Sequence, residues 1–205
     1  MTTLPMFPLG GVHFPYSVIP LRLFEERYLR LLDDVQGGDG RFGVVLIERG
    51  SEVGGGDVRF DVGTLAEVRA VSELDGGHKA VVAAGLQRLR VDRWISDDPY
   101  PVAEVTILDE DDAGPGDGDL LIEATKGLHR LLAVAAELGA DTANFVPQMS
   151  DDPVVAGFHL AQMIPIGPLD AQQLLEQDSA SVRLRQIIDY LNDEVELIQL
   201  RLSEG

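Results

Sequence analysis

Alternating apolar and polar residues between positions 42 and 108 predict a series of β-strands. The run FGVVLIE is short and almost wholly apolar, and VGTLAEVRAVSEL alternates with a period of two. Asp75-Gly76-Gly77 predicts a hairpin turn, because glycine adopts the positive φ angles that such turns need. Several strands with few helices between them favour an antiparallel, barrel-like sheet. The predicted strands cover 42–48, 62–74, 78–94 and about 100–108.

Prolines set the character of the segment that precedes these strands. Residues 4–23 alternate apolar residues with Pro5, Pro8, Pro15 and Pro20, which forbids a helix and predicts an extended edge segment rich in turns. From Phe24 to Val35 the apolar residues change to helical spacing, and Gly37-Gly38 then predicts the end of that helix.

The second half of the chain has helical periodicity. It follows an acidic stretch, DEDDAGPGDGD at 109–119, which reads as a solvated linker. Asp152-Pro153 predicts a capped helix start, and Asp170 with Gln173 resembles a capping box. The last helix repeats apolar residues in heptads, which is typical of a helical bundle or, as the alternative, of a coiled coil between chains. The predicted helices cover 120–139, 153–163, 171–177 and 180–203.

These patterns predict an α+β protein. Residues 1–110 are expected to form an antiparallel, β-barrel-like subdomain with one helix. Residues 111–119 are expected to be an acidic linker, and residues 120–205 an α-helical bundle.

Composition narrows the possible partners. The net charge is −19 from 16 basic and 35 acidic residues, which disfavours nucleic acid and anionic membrane surfaces as partners. There is no cysteine, which excludes disulfides and thiol chemistry and fits a reducing cytoplasm. No apolar run is long enough to span a bilayer. A cytoplasmic protein is therefore expected.

The motif search predicts no catalytic residue, no metal and no cofactor. A phosphate-binding loop needs lysine followed by serine or threonine, but Lys79 precedes Ala80 and Lys126 precedes Gly127. Lys79 is beside a hairpin turn and Lys126 on an exposed helix face, so neither is expected to be desolvated enough to act as the base of a serine–lysine dyad. The four histidines lack metal-ligand spacing. The acidic stretch lacks the glutamate that closes a calcium loop.

Two blocks of the sequence resemble a known family. Residues 4–32, LPMFPLGGVHFPYSVIPLRLFEERYLRLL, are similar to the opening of the Lon substrate-binding domain, the N-terminal domain of Lon-type ATP-dependent proteases. Residues 63–94, GTLAEVRAVSELDGGHKAVVAAGLQRLRVDRW, resemble its second block, and the strand and helices that follow also fit. Tyr16 departs from the pattern, which most often has glycine there.

The resemblance implies a PUA-like β subdomain followed by a helical bundle, and a role in recognising polypeptides. It does not carry over proteolysis, because the ATPase and protease residues lie outside the shared region. The chain stops at Gly205 and is therefore expected to be a stand-alone bacterial form of the domain and not an enzyme.

Five residues are candidates for contact with a partner. Met6 and Phe7 lie on the proline-rich segment, where exposed apolar surface would bind client polypeptides; the alternative for Phe7 is a core position. Glu26, Arg27 and Arg30 match positions on the family's first helix and are expected on an exposed face, with simple solvation as the alternative.

Other functions stay open at this stage. The chain could act as a regulatory or adaptor subunit on a separate ATPase or protease, with the terminal heptad helix as the docking surface. It could bind a small molecule in a cleft between its subdomains. The same helix could also form a homodimer.

Overall fold

Strands and helices are segregated along the chain, as the α+β prediction requires. The computed structural model describes residues 1–50, 56–139 and 149–204. One unit comprises Met1–Asp109 and a second begins at Glu110. The first unit contains β1 (Thr2–Leu9), β2 (Val18–Leu23), α1 (Glu26–Gly37), β3 (Arg41–Arg49), β4 (Val58–Glu73), β5 (Lys79–Ser96) and β6 (Val102–Ile107), with a short 3₁₀ turn at Asp75–Gly77.

The sheet is mixed, so the prediction of a purely antiparallel sheet is wrong for one pair of strands. The strand order is β2-β5-β4-β3-β1-β6, and β5 also pairs with β6. All pairs are antiparallel except β1 with β3, where Met6 lies opposite Gly43 and Leu9 opposite Leu46. The parallel pair arises because β2 and α1 lie between β1 and β3 in the chain and return it in the same direction.

Helix α1 packs one face onto the sheet. Tyr28, Leu31, Leu32 and Val35 are buried, at the spacing the sequence predicts. They join apolar side chains from five strands in one core cluster, while a second cluster forms around Met6 and Leu89. Phe24 was predicted on this apolar face, but it precedes the helix and is 55% exposed.

The chain enters β2 through a bulge at Tyr16. The amide of Tyr16 donates to the Gly85 carbonyl oxygen, and the Gly85 amide donates to the Ser17 carbonyl oxygen, both at 2.9 Å. Tyr16 has a φ of 63°, in the left-handed region that favours glycine, which explains why glycine is common there in the family pattern. Opposite, a side chain on Gly85 would collide with the Phe14 carbonyl oxygen.

The second unit contains four helices within its described residues. They are α2 (Asp117–Glu137), α3 (Pro153–Ala161), α4 (Pro168–Glu176) and α5 (Ala180–Glu204). Helix α2 packs against α5, and α3 packs against both. The predicted cap of α3 is confirmed, since Asp152 Oδ1 accepts from the Val154 amide at 3.0 Å. The predicted capping box at Asp170 is wrong: α4 starts earlier, and Asp170 accepts from the Tyr190 hydroxyl at 3.3 Å instead.

Buried charged side chains connect different segments of the second unit. Arg183 is fully buried, with its guanidinium 3.7 Å from the centre of the Phe158 ring. It donates to Glu110 Oε2 at 3.1 Å and to the Gln177 carbonyl oxygen at 2.6 Å. Asp117, the last aspartate but one of the acidic stretch, is 2% exposed and accepts from the Gly114 amide and the Ser181 hydroxyl. The end of the predicted linker is therefore structured.

Most heptad positions of α5 are used inside the second unit. Leu184, Leu191, Val195 and Ile198 are buried, whereas Leu202 is 37% exposed. Leu197 and Leu200, outside the heptad, are also exposed. A homodimer through this helix stays a prediction. Within the described residues, no helix has the length and apolar character to cross a membrane.

Candidate functional groove

A groove lies between β1 and β2, which border it without forming a pair. Residues Thr2–Pro5 of β1 pair with β6, and the Met6 amide donates to the Pro101 carbonyl oxygen at 2.8 Å. Beyond Met6, the described strands include no neighbour for that side of β1. Among the same strands, β2 pairs only with β5. The edges of β1 and β2 therefore face each other across an opening, and the start of α1 covers only part of it.

The groove is small and mainly apolar. Its volume is about 260 Å³. The walls come from the end of β1, the middle of β2 and the residues that lead into α1. They consist of Phe7, Leu9, Pro20, Leu21, Arg22, Phe24, Glu25 and Tyr28.

Aromatic rings form the floor and the rim. Phe7 and Tyr28 stack with ring centres 4.1 Å apart and planes inclined by 26°. The Arg27 guanidinium lies over the Tyr28 ring, 4.4 Å from its centre, and Arg27 Nε is 3.1 Å from Glu25 Oε2. Phe24 stands at the rim and exposes more than half of its surface. The groove is therefore an apolar cavity with the Arg27–Glu25 ion pair at its edge.

Tyr28 of the groove and the nearby pair Asp57–Arg59 have shifted pKa values. Burial raises the pKa of Tyr28 to about 12, so its hydroxyl stays neutral at ordinary pH. Burial alone would raise the pKa of Asp57, but hydrogen bonds from Arg59 lower it below its usual value. Arg59 also bonds Asp97 at 2.8 Å and lies 4.4 Å from the Trp94 ring centre. Arg59 therefore forms ion pairs with both Asp57 and Asp97.

Of the five candidate residues, the two on β1 are buried and the three on α1 are exposed or half-buried. Met6 is fully buried, and a Cβ at the opposite Gly43 would overlap its sulfur, so the expectation of exposed surface at Met6 is wrong. Phe7 is 6% exposed and belongs to the core, yet its ring also lines the groove. Glu26 and Arg30 are exposed and form an ion pair one helical turn apart, and Arg27 is half-buried.

Of the eight residues that line the groove, only Phe7 is among the five candidates from the sequence. The sequence predicts Phe24 and Tyr28 on one apolar helix face and Pro20 in an extended edge segment rich in turns. Phe24 comes two residues before α1 begins and therefore lies off its buried face, which the apolar spacing alone does not reveal. Within residues 1–50, 56–139 and 149–204, no group of three or more histidine or acidic side chains could hold a metal ion.

Comparison with known proteins defines the class. The model of the ATP-dependent protease La (Lon) substrate-binding domain matches residues 3–193. The chain is 27% identical over 207 residues to a Lon protease of Desulfosudis oleivorans and 28% identical over 210 residues to Lon protease 2 of Herpetosiphon aurantiacus. These matches cover 97% and 96% of this chain but 25% and 24% of those proteins.

Solved structures agree. The Lon N-terminal domain protein from Xanthomonas campestris matches with a TM-score of 0.68 and 27% identity, over 92% of this chain and 98% of that one. The N-terminal domain of the Mycobacterium avium complex Lon protease shares the fold, with a TM-score of 0.67 over 94% and 99% of the two chains at 22% identity. The protein is thus an α+β domain of the Lon N-terminal type.

The chain belongs to the Lon substrate-binding domain family, and the resemblance seen in the sequence is confirmed. The family model describes the substrate-binding domain and not the catalytic part of these proteases. The chain spans about a quarter of the length of the curated relatives it matches.

Proposed function

We propose that this chain recognises polypeptides and that the groove between β1 and β2 binds an apolar side chain of an unfolded client. The observation that carries the proposal is a partly covered apolar cavity of about 260 Å³ with the Phe24 ring exposed at its rim. Membership of a substrate-binding domain family supports the same reading.

The size of the groove favours a side chain over a free ligand. Pockets for small molecules usually measure roughly 300–1,000 Å³ and bury most of the ligand. A groove of about 260 Å³ lies near the lower end of that range and is partly open, so it would leave part of a free ligand exposed. Aromatic walls accept apolar side chains of several shapes, because stacking and edge contacts demand little of the partner. Such tolerance suits a module that meets many unfolded sequences.

The exposed charges of α1 are proposed as a second contact zone. Glu26 and Arg30 pair with each other at the surface, and exposed pairs of this kind contribute only roughly 0.3–0.5 kcal/mol. A client can therefore exchange its own charges for this pair at little cost. Arg27 is proposed to act differently, since its pairing with Glu25 and its position over Tyr28 fix one wall of the groove.

The test is substitution at the rim. Replacing Phe24 with alanine removes a large ring that is more than half exposed, so the fold should survive while client affinity falls about tenfold. Binding is measured by fluorescence anisotropy with a labelled, permanently unfolded protein. Ile95→Ala is the matched control, because Ile95 is 47% exposed but does not line the groove. Equal affinities for the two variants would contradict the proposal.

Action in trans on a separate ATPase or protease is a further proposal for the same module. It is motivated by the relatives, which carry this region within proteins named Lon protease. Anisotropy with purified client alone separates the two ideas, since a module that recognises clients needs no second protein for its affinity.

A further inference from the structure

We infer that the bound polypeptide adds to the sheet as a strand along the open edge of β2, an inference that rests on the proposed function. Adding a strand to an exposed edge gives affinity through main-chain hydrogen bonds and specificity through pockets for alternate side chains. Both elements lie side by side here: among the described strands β2 pairs along one edge only, and the groove opens beside its other edge.

The hydrogen bonds at the start of β2 show which residues point outward. The Gly85 amide donates to the Ser17 carbonyl oxygen, so Ser17 is turned toward β5. Along an antiparallel pair, residues turned toward the partner alternate with residues turned away. Ile19, Leu21 and Leu23 therefore bond β5, and the backbone groups of Val18, Pro20 and Arg22 point to the open edge.

Pro20 supports this register independently. A proline in a sheet is found where its missing N–H does not cost a ladder bond, at an edge with the nitrogen facing out. Pro20 lies opposite Val82 of β5 and is exposed. Its position therefore agrees with the alternation deduced from Ser17. The open edge presents amides at Val18 and Arg22 and carbonyl oxygens at all three positions.

The opposite border of the groove does not compete for the added strand. The Met6 amide points toward the β6 side of β1, so Pro8, two residues later, faces the groove. Pro8 has no N–H to offer there and presents only its carbonyl oxygen, whereas β2 presents amides as well as carbonyl oxygens. The added strand is consequently expected to bond β2 and to use the Phe7 and Leu9 side of the groove only for apolar contact.

The net charge favours a client polypeptide over a second copy of this chain as the occupant of the β2 edge. Residues 1–109, which include this edge, contain 17 acidic and 11 basic residues, so two such edges repel each other, whereas a basic client is attracted. Self-pairing would also bring a proline from each copy to the new edge, and proline at edges suppresses such pairing. The occupant is therefore an extended segment with apolar residues at alternate positions and basic residues at its ends.

Backbone methylation of a peptide tests the pairing directly. The probe is a short labelled peptide with alternating leucines and lysine at both ends, together with versions N-methylated at one residue each. In antiparallel addition, every second peptide amide donates to β2. Methylation at those residues should weaken binding roughly three- to tenfold, and methylation at the residues between them should leave it unchanged.

A pair of variants at one position tests the protein side. Arg22→Pro removes the outward N–H but spares the bonds to β5, while Arg22→Ala removes the same side chain and keeps the N–H. Arg22→Pro should bind the peptide roughly three- to tenfold more weakly than Arg22→Ala. Circular dichroism of both variants checks the fold. The methylation series decides the question on the unaltered protein if the proline variant does not fold.

The outcomes separate this inference from the proposed function. An alternating methylation pattern supports strand addition. A flat pattern, with affinity still lost in Phe24→Ala, overturns strand addition and leaves side-chain binding in the groove intact. No measurable binding overturns both. Sedimentation that shows self-association abolished by Arg22→Pro would assign the edge to a second copy and overturn the choice of occupant.

Discussion

Tyr28 links the core of the first unit to the groove. Its ring stacks on Phe7, the Arg27 guanidinium lies over the ring, and the residue is only 4% exposed. One side chain thus belongs to the packed interior and to a binding wall. Substitution by alanine would confuse the two roles, so removal of the hydroxyl alone is the informative change.

The raised pKa of Tyr28 predicts a loss of stability in alkali. Its pKa is about 12 in the folded protein against 10.0 ordinarily, chiefly through burial. The folded state holds the proton more tightly, so this contribution is complete below about pH 10 and lost as the pH rises toward 12. Between about pH 9 and pH 12, the unfolding free energy of Tyr28→Phe should fall by roughly 1–2 kcal/mol less than that of the parent.

Urea unfolding at a series of pH values measures this effect. Tyr100→Phe should also flatten the decline, because burial and the hydrogen bond to Asp34 raise the pKa of Tyr100 to about 12. The exposed Tyr16 supplies the control, as Tyr16→Phe. An alkaline decline in Tyr28→Phe as steep as in the parent would refute the assignment.

At the scale of elements, α3 depends on its cap. The Asp152 carboxylate accepts from the Val154 amide, and Pro153 occupies the first helical position, where no N–H is needed. Asp152→Ala should lower the free energy of unfolding by about 1 kcal/mol, as loss of a cap usually does. Chemical denaturation measures it, with Asp151→Ala as the neighbouring control. Equal stabilities of the two variants would rule out the capping role.

Local sequence patterns predict individual helices and strands well, but they do not predict which strands lie next to each other. Tyr28, Leu31, Leu32 and Val35 fall at helical spacing, and Gly37-Gly38 ends that helix, so α1 could be read from the sequence. Nothing in β1 reveals that β3 runs parallel beside it, because side-chain alternation is the same in both orientations.

The groove was beyond prediction for a similar reason. Its walls come from β1, β2 and the start of α1, and two of these three segments look like ordinary proline-interrupted edges in the sequence. Burial of Phe7 and exposure of Phe24 depend on how α1 lies across the strands. The apolar spacing predicts Phe24 on the buried helix face, because it does not show where the helix begins, and it leaves Phe7 open between a partner contact and a core position.

At the scale of the whole molecule, charge is distributed unevenly. Residues 1–109 contain 17 acidic and 11 basic residues, whereas residues 110–205 contain 18 and 5. Self-repulsion therefore weighs most on the second unit, even though Arg183 offsets it locally by pairing with Glu110.

Salt should accordingly stabilise this protein. Raising sodium chloride from about 0.01 M to 1 M shortens the screening length from about 30 Å to 3 Å. We expect Tm to rise by about 2–4 °C, which corresponds to roughly 1 kcal/mol for a chain of this size. Calorimetry measures it, and if the units melt separately the one from Glu110 onward should shift more. Potassium chloride must give the same shift, and a fall in Tm would contradict the charge argument.

The position of β1 between β3 and β6 has a consequence for the newborn chain on the ribosome. β1 emerges before β6, its partner along one side, which ends only at Ile107. At about 5–20 residues per second, the apolar segment around Leu4 and Met6 waits roughly 5–20 s for that partner. During those seconds it is itself an extended apolar polypeptide, of the kind we propose that the finished protein binds.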